Sequence, residues 1–136
     1  RKILNRGQEM KNGDVLQLAK DIKLEAVPAY NTTLGRDKFH PKRRDNGYIL
    51  TLGGTRIYIA GDTEDIPELN QVKDIDIAFL PVNQPYTMTP EQAIRAAKII
   101  KPRVLYPYHY GETDIHKVKD GLKNETGTEV RIRALQ

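Results

Sequence analysis

The sequence predicts an α/β domain in which a mixed sheet is covered by helices. Up to residue 60 the apolar residues alternate in short runs divided by turn signals, as antiparallel hairpins require. Beyond that point, nearly continuous apolar runs alternate with helical patterns, as parallel strands and their crossovers require. A third observation locates the chemistry. Two of the strand-like runs deliver residues able to bind a cation, Asp62 and His109, and α/β folds place their sites outside the carboxyl ends of strands.

Residues 1–12 are polar, with Ile3, Leu4 and Met10 as the only large apolar groups. They read as a linker or the torn end of a larger domain, and residues 13–136 as the organised part. Asn12-Gly13-Asp14 is a turn signal, and Val15, Leu16 and Leu18 follow as a short strand. After a turn at Asp21, Ile22, Leu24 and Ala26 alternate with Lys23 and Glu25, so a second strand has one buried face and one wet one. The pair predicts a hairpin. Residues 32–46 form a loop of a length that is usually functional or disordered, and it carries Phe39-His40-Pro41. A strand over 47–52, a Gly53-Gly54 turn and a strand over 56–60 make the next hairpin.

Gly61 then lets the chain turn and leaves Asp62 beyond the strand. Pro67 limits the following segment to a short helical turn. Residues 75–80 are a nearly continuous apolar strand, as in a sheet covered on both faces. Thr89 as N-cap, Pro90 at the first helical position and Gln92 three residues after the cap spell a helix start. Ala93, Ala96, Ala97 and Ile100 fall on one face of that helix, and Lys101-Pro102 stops it. Val104, Leu105 and Tyr106 form a buried strand that leads into Pro107-Tyr108-His109-Tyr110-Gly111. A last helix turns Ile115, Val118 and Leu122 inward, and Val130 and Ile132 make a final strand.

Composition narrows the chemistry. A chain of 136 residues, 38% hydrophobic and 29% charged, has the balance of one folded domain. No apolar run approaches the roughly 20 residues of a membrane helix. With no cysteine, disulfides are excluded and a metal must be held by His, Asp or Glu. No secretory signal is visible, and the expected setting is cytoplasmic. Much of the +4 net charge lies near Arg36, Lys38, Lys42, Arg43 and Arg44. That cluster is either a solvated loop or an attraction for phosphate. No aromatic residues are spaced through it to stack on bases, so nucleic acid is disfavoured as a partner.

Asp62 alone reads either as a turn carboxylate bonded to local backbone or as an oxygen ligand for a cation. A lone histidine is more often structural than a ligand, but His109 sits between two tyrosines after a buried strand, as Asp62 sits after another. Tyr58-Ile59-Ala60-Gly61-Asp62-Thr63 followed by Tyr106-Pro107-Tyr108-His109-Tyr110-Gly111 resembles the second half of the metallo-β-lactamase fold. The resemblance is closest to its branch of metal-dependent hydrolases, which Pro28-Ala29-Tyr30-Asn31, Phe39-His40-Pro41 and Pro85-Tyr86-Thr87-Met88-Thr89 also fit. It implies half of an αββα sandwich. It further implies a hydrolase in which one or two divalent ions, zinc by preference, activate water. In that family the aspartate bridges two ions and the late histidine binds the second, roles that fall on Asp62 and His109.

The chain departs from the family pattern in two places. The family's His-x-His-x-Asp-His motif is absent, so the chain corresponds to the C-terminal half of the domain and is expected to be inactive alone. Asn31 stands where many relatives place a metal-binding histidine, and His40 is either its substitute, looping back as a third ligand, or a structural loop residue. Tyr30, Asn31, Tyr86 and Tyr108 are candidates for contact with a small-molecule substrate, with packing as the competing role of each tyrosine. His116 is expected at the surface.

Three functions remain open: a hydrolase completed by an N-terminal half, a non-catalytic half-domain that acts by association, and an RNA-directed nuclease. A partner is expected in each of the first two, either the N-terminal half or a second copy. Strand 75–80 is apolar on both faces, and Ile57, Ile77, Phe79 and Leu105 are expected near the face that a partner covers. The competing expectation is that the 32–46 loop folds over that face.

Overall fold

A computed structural model describes residues 7–136, in which seven strands join one sheet in sequence order. The strands are β1 (Val15–Ala19), β2 (Ile22–Ala29), β3 (Asp45–Leu52), β4 (Thr55–Ile59), β5 (Ile77–Pro81), β6 (Val104–Tyr108) and β7 (Glu129–Val130). Pairing is antiparallel from β1 to β4 and parallel from β4 to β7. The change follows from the connections. Tight turns allow only antiparallel neighbours, whereas parallel neighbours need a crossover. Those crossovers hold a 3-10 turn (Pro67–Gln71), helix α1 (Pro90–Ile100) and helix α2 (His116–Gly121). Crossovers of one hand deliver all three to the same face of the sheet. Among the described residues no helix is long and apolar enough to cross a membrane.

The expected capping box of α1 is present: Thr89 accepts from the Gln92 N–H, and the Gln92 side chain accepts from the Thr89 N–H. The small face of α1, Ala93, Ala96 and Ala97, packs close to the sheet. With Leu69, Val118 and Leu122 it buries Tyr58, Ala78, Leu80 and Leu105.

Register assigns the two faces. Ile57 pairs Ile77, Ile59 pairs Phe79, and Phe79 pairs Tyr106, so these side chains share the face away from the helices. Phe79 stacks on Tyr106 with ring centroids 5.2 Å apart and meets the edge of Tyr108 at 6.1 Å. Ile59 remains 37% exposed. Leu105 was expected on this uncovered face and is not there. Side chains alternate along β6, so Val104 and Tyr106 take the uncovered face while Leu105 aligns with Ala78 beneath the helices and is fully buried.

Boundaries differ from the sequence pattern where tertiary contacts decide. β2 runs on through Pro28 to Ala29, beyond the last β1 pair at Val15 and Glu25. There β2 is an edge, and the missing N–H of proline is tolerated. β5 starts at Ile77, not 75. β7 stops at Val130, and Ile132 lies outside it. Beyond Arg131, whose N–H still reaches the Leu105 carbonyl, the tail is held instead by Tyr110, which donates to the Arg133 carbonyl.

The expected linker 1–12 falls partly outside the described residues. Within them, Asn12 donates to the Asp45 carbonyl and to Asn46 Oδ1, and Asn46 donates back to the Met10 carbonyl. Residues 10–12 are therefore fastened to the start of β3. The 30–44 loop makes its hydrogen bonds at the carboxyl edge of the sheet, to residues such as Glu64, Tyr86, Gln84 and Gln92.

The two faces predict different costs. Leu105→Ala should destabilise the chain by about 2–5 kcal/mol through the cavity it leaves. Phe79→Ala, on the uncovered face, should cost the isolated chain less than half of that. Urea unfolding monitored by circular dichroism reads both, and equal losses would contradict the face assignment.

Candidate metal centre

Two turns place the central pair. After β4, Gly61 adopts φ 70, and a Cβ there would stand 2.7 Å from the Asn46 carbonyl oxygen. Backbone angle and space both demand glycine at this position. Asp62 follows beyond the sheet edge. After β6, His109 has φ 46, a left-handed conformation that costs a non-glycine residue roughly 1–3 kcal/mol. Two contacts hold it there. Its N–H donates to the Leu135 carbonyl at 2.7 Å, and its Nδ1 lies 2.9 Å from Asp62 Oδ1.

The 30–44 loop brings in His40. Its Nδ1 is 3.0 Å from Asp45 Oδ2, and its Nε2 is 3.5 Å from Asp62 Oδ2. A carboxylate only accepts, so the Nδ1 hydrogen is assigned toward Asp45. In the neutral ring Nε2 then turns a lone pair toward a carboxylate oxygen. Two acceptors facing each other need a proton or a cation between them.

Two imidazoles and a carboxylate are a donor set for zinc or a similar borderline cation. The set is partial. Among the described residues no group of three or more His, Asp or Glu side chains is placed to hold a metal ion, and His109 directs its Nδ1 onto Asp62 itself. Asp45 orients His40 as a second carboxylate commonly orients a metal-binding imidazole, with Nδ1 engaged and Nε2 free.

Tyr108 stands beside the pair. Burial, and then the charge of Asp62, push its hydroxyl up to about 12, while the Gly61 backbone pulls the other way. The phenol therefore keeps its proton and remains a donor. The other sequence candidates are dispersed. Tyr30 is buried, donates to Glu68 Oε2 at 2.8 Å, and lies under the Lys42 ammonium. Tyr86 is exposed and meets the edge of Phe39 at 4.9 Å. Asn31 is 3% exposed. Its amide nitrogen donates to the Arg36 and Tyr86 carbonyls, which fixes the amide orientation and leaves a buried Oδ1 without a partner among the described residues. His116 is exposed at the start of α2.

Much of the basic cluster is already paired. Arg36 faces Glu64, Lys42 faces Glu68, and Arg44 binds Asp45. Lys11, Lys42 and Arg43 line a cleft of about 520 Å³ with Asn12, Pro28 and Glu68.

Sequence reasoning missed Asp45 and Glu64, and read Arg36 only as part of a basic cluster. A carboxylate five residues after His40 in the same loop was the available signal for Asp45. Glu64 had none, because its partners lie 28–32 residues away. Its side chain is wholly buried. Oε2 accepts from the hydroxyls and N–H groups of Thr32 and Thr33 and from Gln92 Nε2. Oε1 lies 3.1 Å from Arg36 Nη2, close enough for an ion pair although off line for a hydrogen bond. Burial pushes its pKa up, but the two threonines, the Arg36 charge and Gln92 outweigh it, and the carboxyl ends below its ordinary value.

Known proteins share this arrangement of strands and turns. Residues 2–109 match the model of the β-lactamase superfamily domain. A UPF0173 metal-dependent hydrolase of Pelotomaculum thermopropionicum is 33% identical over 122 residues, covering 82% of this chain and 54% of that protein. The one from Thermococcus kodakarensis is 39% identical over 115 residues, covering 81% and 50%. The chain thus spans about half the length of these relatives. Among solved structures, a protein of Parabacteroides distasonis described as a metal-dependent hydrolase is 64% identical. It superposes with a TM-score of 0.93 over 96% of this chain and 59% of its own. Igni18, a metallo hydrolase of Ignicoccus hospitalis, is 25% identical with a TM-score of 0.77, over 95% of this chain and 58% of its own.

The Glu64 environment predicts a pH dependence. A folded pKa below the unfolded one means a contribution fully present above the ordinary value of about 4.3 and lost as pH falls through the folded value. Glu64→Gln should therefore lower the urea midpoint at neutral pH, and its midpoint should fall less steeply in acid than that of the wild type. Parallel acid profiles for the two proteins would contradict this.

Proposed function

The chain belongs to the β-lactamase superfamily domain family, and on that footing we propose that it is the C-terminal part of a metal-dependent hydrolase centred on Asp62, His109 and His40. The single observation that carries the reading is the 3.5 Å approach of His40 Nε2 to Asp62 Oδ2 with Nδ1 already engaged by Asp45. In the neutral ring that arrangement aims an Nε2 lone pair and a carboxylate at one point. The relatives' description as metal-dependent hydrolases supports the same reading.

When bound, a divalent ion, zinc by the preference of a nitrogen and oxygen donor set, supplies a water of lowered pKa and polarises a substrate oxygen. The chain's own residues supply the rest. Asp62 offers carboxylate oxygens between the two rings. Asp45 fixes the tautomer of His40. The Leu135 carbonyl anchors the backbone of His109. Tyr108, held protonated, donates to an oxygen that gains charge during hydrolysis of a small-molecule substrate. Asn31, buried at the root of the loop, ties it to the Tyr86 carbonyl, and Tyr30 supports the loop through Glu68.

The remaining ligands and the cover for the apolar face of Ile57, Ile59, Ile77 and Phe79 would come from the N-terminal half of the same domain. An aromatic and aliphatic surface of this kind is rarely left to water over a large area. Association through this face and metal chemistry at its edge are then two consequences of one architecture.

Three donors fall short of the four that zinc ordinarily takes, so the 136-residue chain alone should bind zinc weakly in a calorimetric titration. In the full-length protein, Asp62→Ala should abolish most turnover and lower the metal content. His109→Ala should lose part of the metal, and His40→Ala should weaken binding. Elemental analysis with activity assays reads all three, and an Asp62→Ala protein with unchanged metal and turnover would overturn the assignment.

A further inference from the structure

We propose that Glu64 is a positioning residue: its buried carboxylate latches the 30–44 loop to the start of α1 and thereby sets His40 opposite Asp62. The inference rests on the reading of His40 as a metal ligand, and goes beyond it by naming what holds that ligand in place.

The 30–44 loop has no strand or helix of its own. Several of its internal hydrogen bonds are turns, such as Arg36 N–H and Asp37 N–H to the Thr33 carbonyl. Turns shape a loop but do not dock it. The densest docking point is Glu64. Glu64 Oε2 gathers the N–H and hydroxyl groups of Thr32 and Thr33 from the loop and Nε2 of Gln92 from α1. Arg36 lies against the other oxygen and reaches on to Gln84, the Thr87 carbonyl and Gln92. Gln92 also closes the α1 capping box from helix position N3, so the carboxylate ties the loop to a rigid element.

The loop's path past the site follows from that anchor. The Asn31 N–H donates to the His40 carbonyl at 2.8 Å, which closes residues 31–40 into a ring with the latched threonines inside it. Thr63, between Asp62 and Glu64, bonds both backbone groups of Tyr30 at the root of the same ring. Asp62 and its opposing imidazole are thus registered by neighbours in one short stretch. A buried carboxylate deprived of its donors, or donors deprived of the carboxylate, leaves uncompensated polar groups, so the latch has little tolerance for a half-open state.

The experiment uses the full-length protein as wild type, Glu64→Gln, His40→Ala and the double variant. Without metal, it reads amide hydrogen exchange in residues 31–44 and the His40 ring resonances by NMR. With zinc, it reads affinity by competition titration. Glu64→Gln should speed exchange of the loop amides at least about tenfold, since a latch of several charge-assisted hydrogen bonds is lost. It should also move the His40 resonances and leave those of exposed His116 in place. Zinc should bind about 10–100-fold more weakly, as loss of outer support for a ligand dictates. Once His40 is alanine, Glu64→Gln should have no further effect on zinc. Unchanged loop exchange, unmoved His40 resonances, or a zinc loss of equal size in the His40→Ala background would overturn the proposal. Wild-type protein that does not bind zinc would overturn the proposed function instead, and the metal-free readings would still decide the latch. Should Glu64→Gln fail to fold, Thr32→Val removes one hydroxyl donor to Oε2 while keeping the carboxylate, Thr33 and the Arg36 pair, and the same readings apply to it.

Discussion

Asp62 stands between two imidazoles, and the architecture around it is largely what that placement requires. His109 reaches it from β6 and Asp62 leaves from β4, with β5 between them in the sheet. Only parallel strands bring both carboxyl ends to the same edge, which is why the sheet changes from antiparallel to parallel pairing at β4. The turn after each strand bears a local cost. Gly61 meets it by having no side chain, and His109 meets it through the Leu135 carbonyl and the Asp62 carboxylate. A strained histidine held by its own contacts marks a position that the fold over-determines.

The two sheet faces differ in how far they are packed. Leu105, Ala78, Leu80 and Tyr58 lie wholly beneath the helices, and small alanines on α1 let that layer approach closely. Burial is extreme enough to leave the Tyr58 hydroxyl without a partner among the described residues, and burial pushes its pKa well above the ordinary range. The opposite face presents Ile57, Ile59, Ile77, Phe79 and Tyr106 with no layer over them among the described residues. Sheet-on-sheet packing is the usual way to cover such a face.

Legibility followed the range of the interactions. The α1 capping box, the Gly53-Gly54 hairpin and the strand alternation are local, and all were readable within a few residues. The Gly-Asp-Thr turn and the histidine after the Tyr106 strand were readable as an ordered pair. Face assignment failed at Leu105 because a nearly continuous apolar run does not show which side is in; only register with Ala78 decides it. The His40 position was open because a loop's path depends on its anchors. Those anchors are Glu64 with Thr32, Thr33 and Gln92, which lie far apart in sequence and have no spacing that announces them. Arg36 and Lys42 looked like free basic charge for the same reason, since Glu64 and Glu68 sit far down the chain.

Whether Asp62, His109 and His40 ligate one metal centre is tested most directly by X-ray absorption at the metal edge of the full-length protein, compared between wild type and His40→Ala. A shared centre predicts nitrogen and oxygen scatterers at about 2.0–2.2 Å and the loss of one imidazole shell in His40→Ala. An identical imidazole count in both proteins would contradict it and return His40 to a structural role.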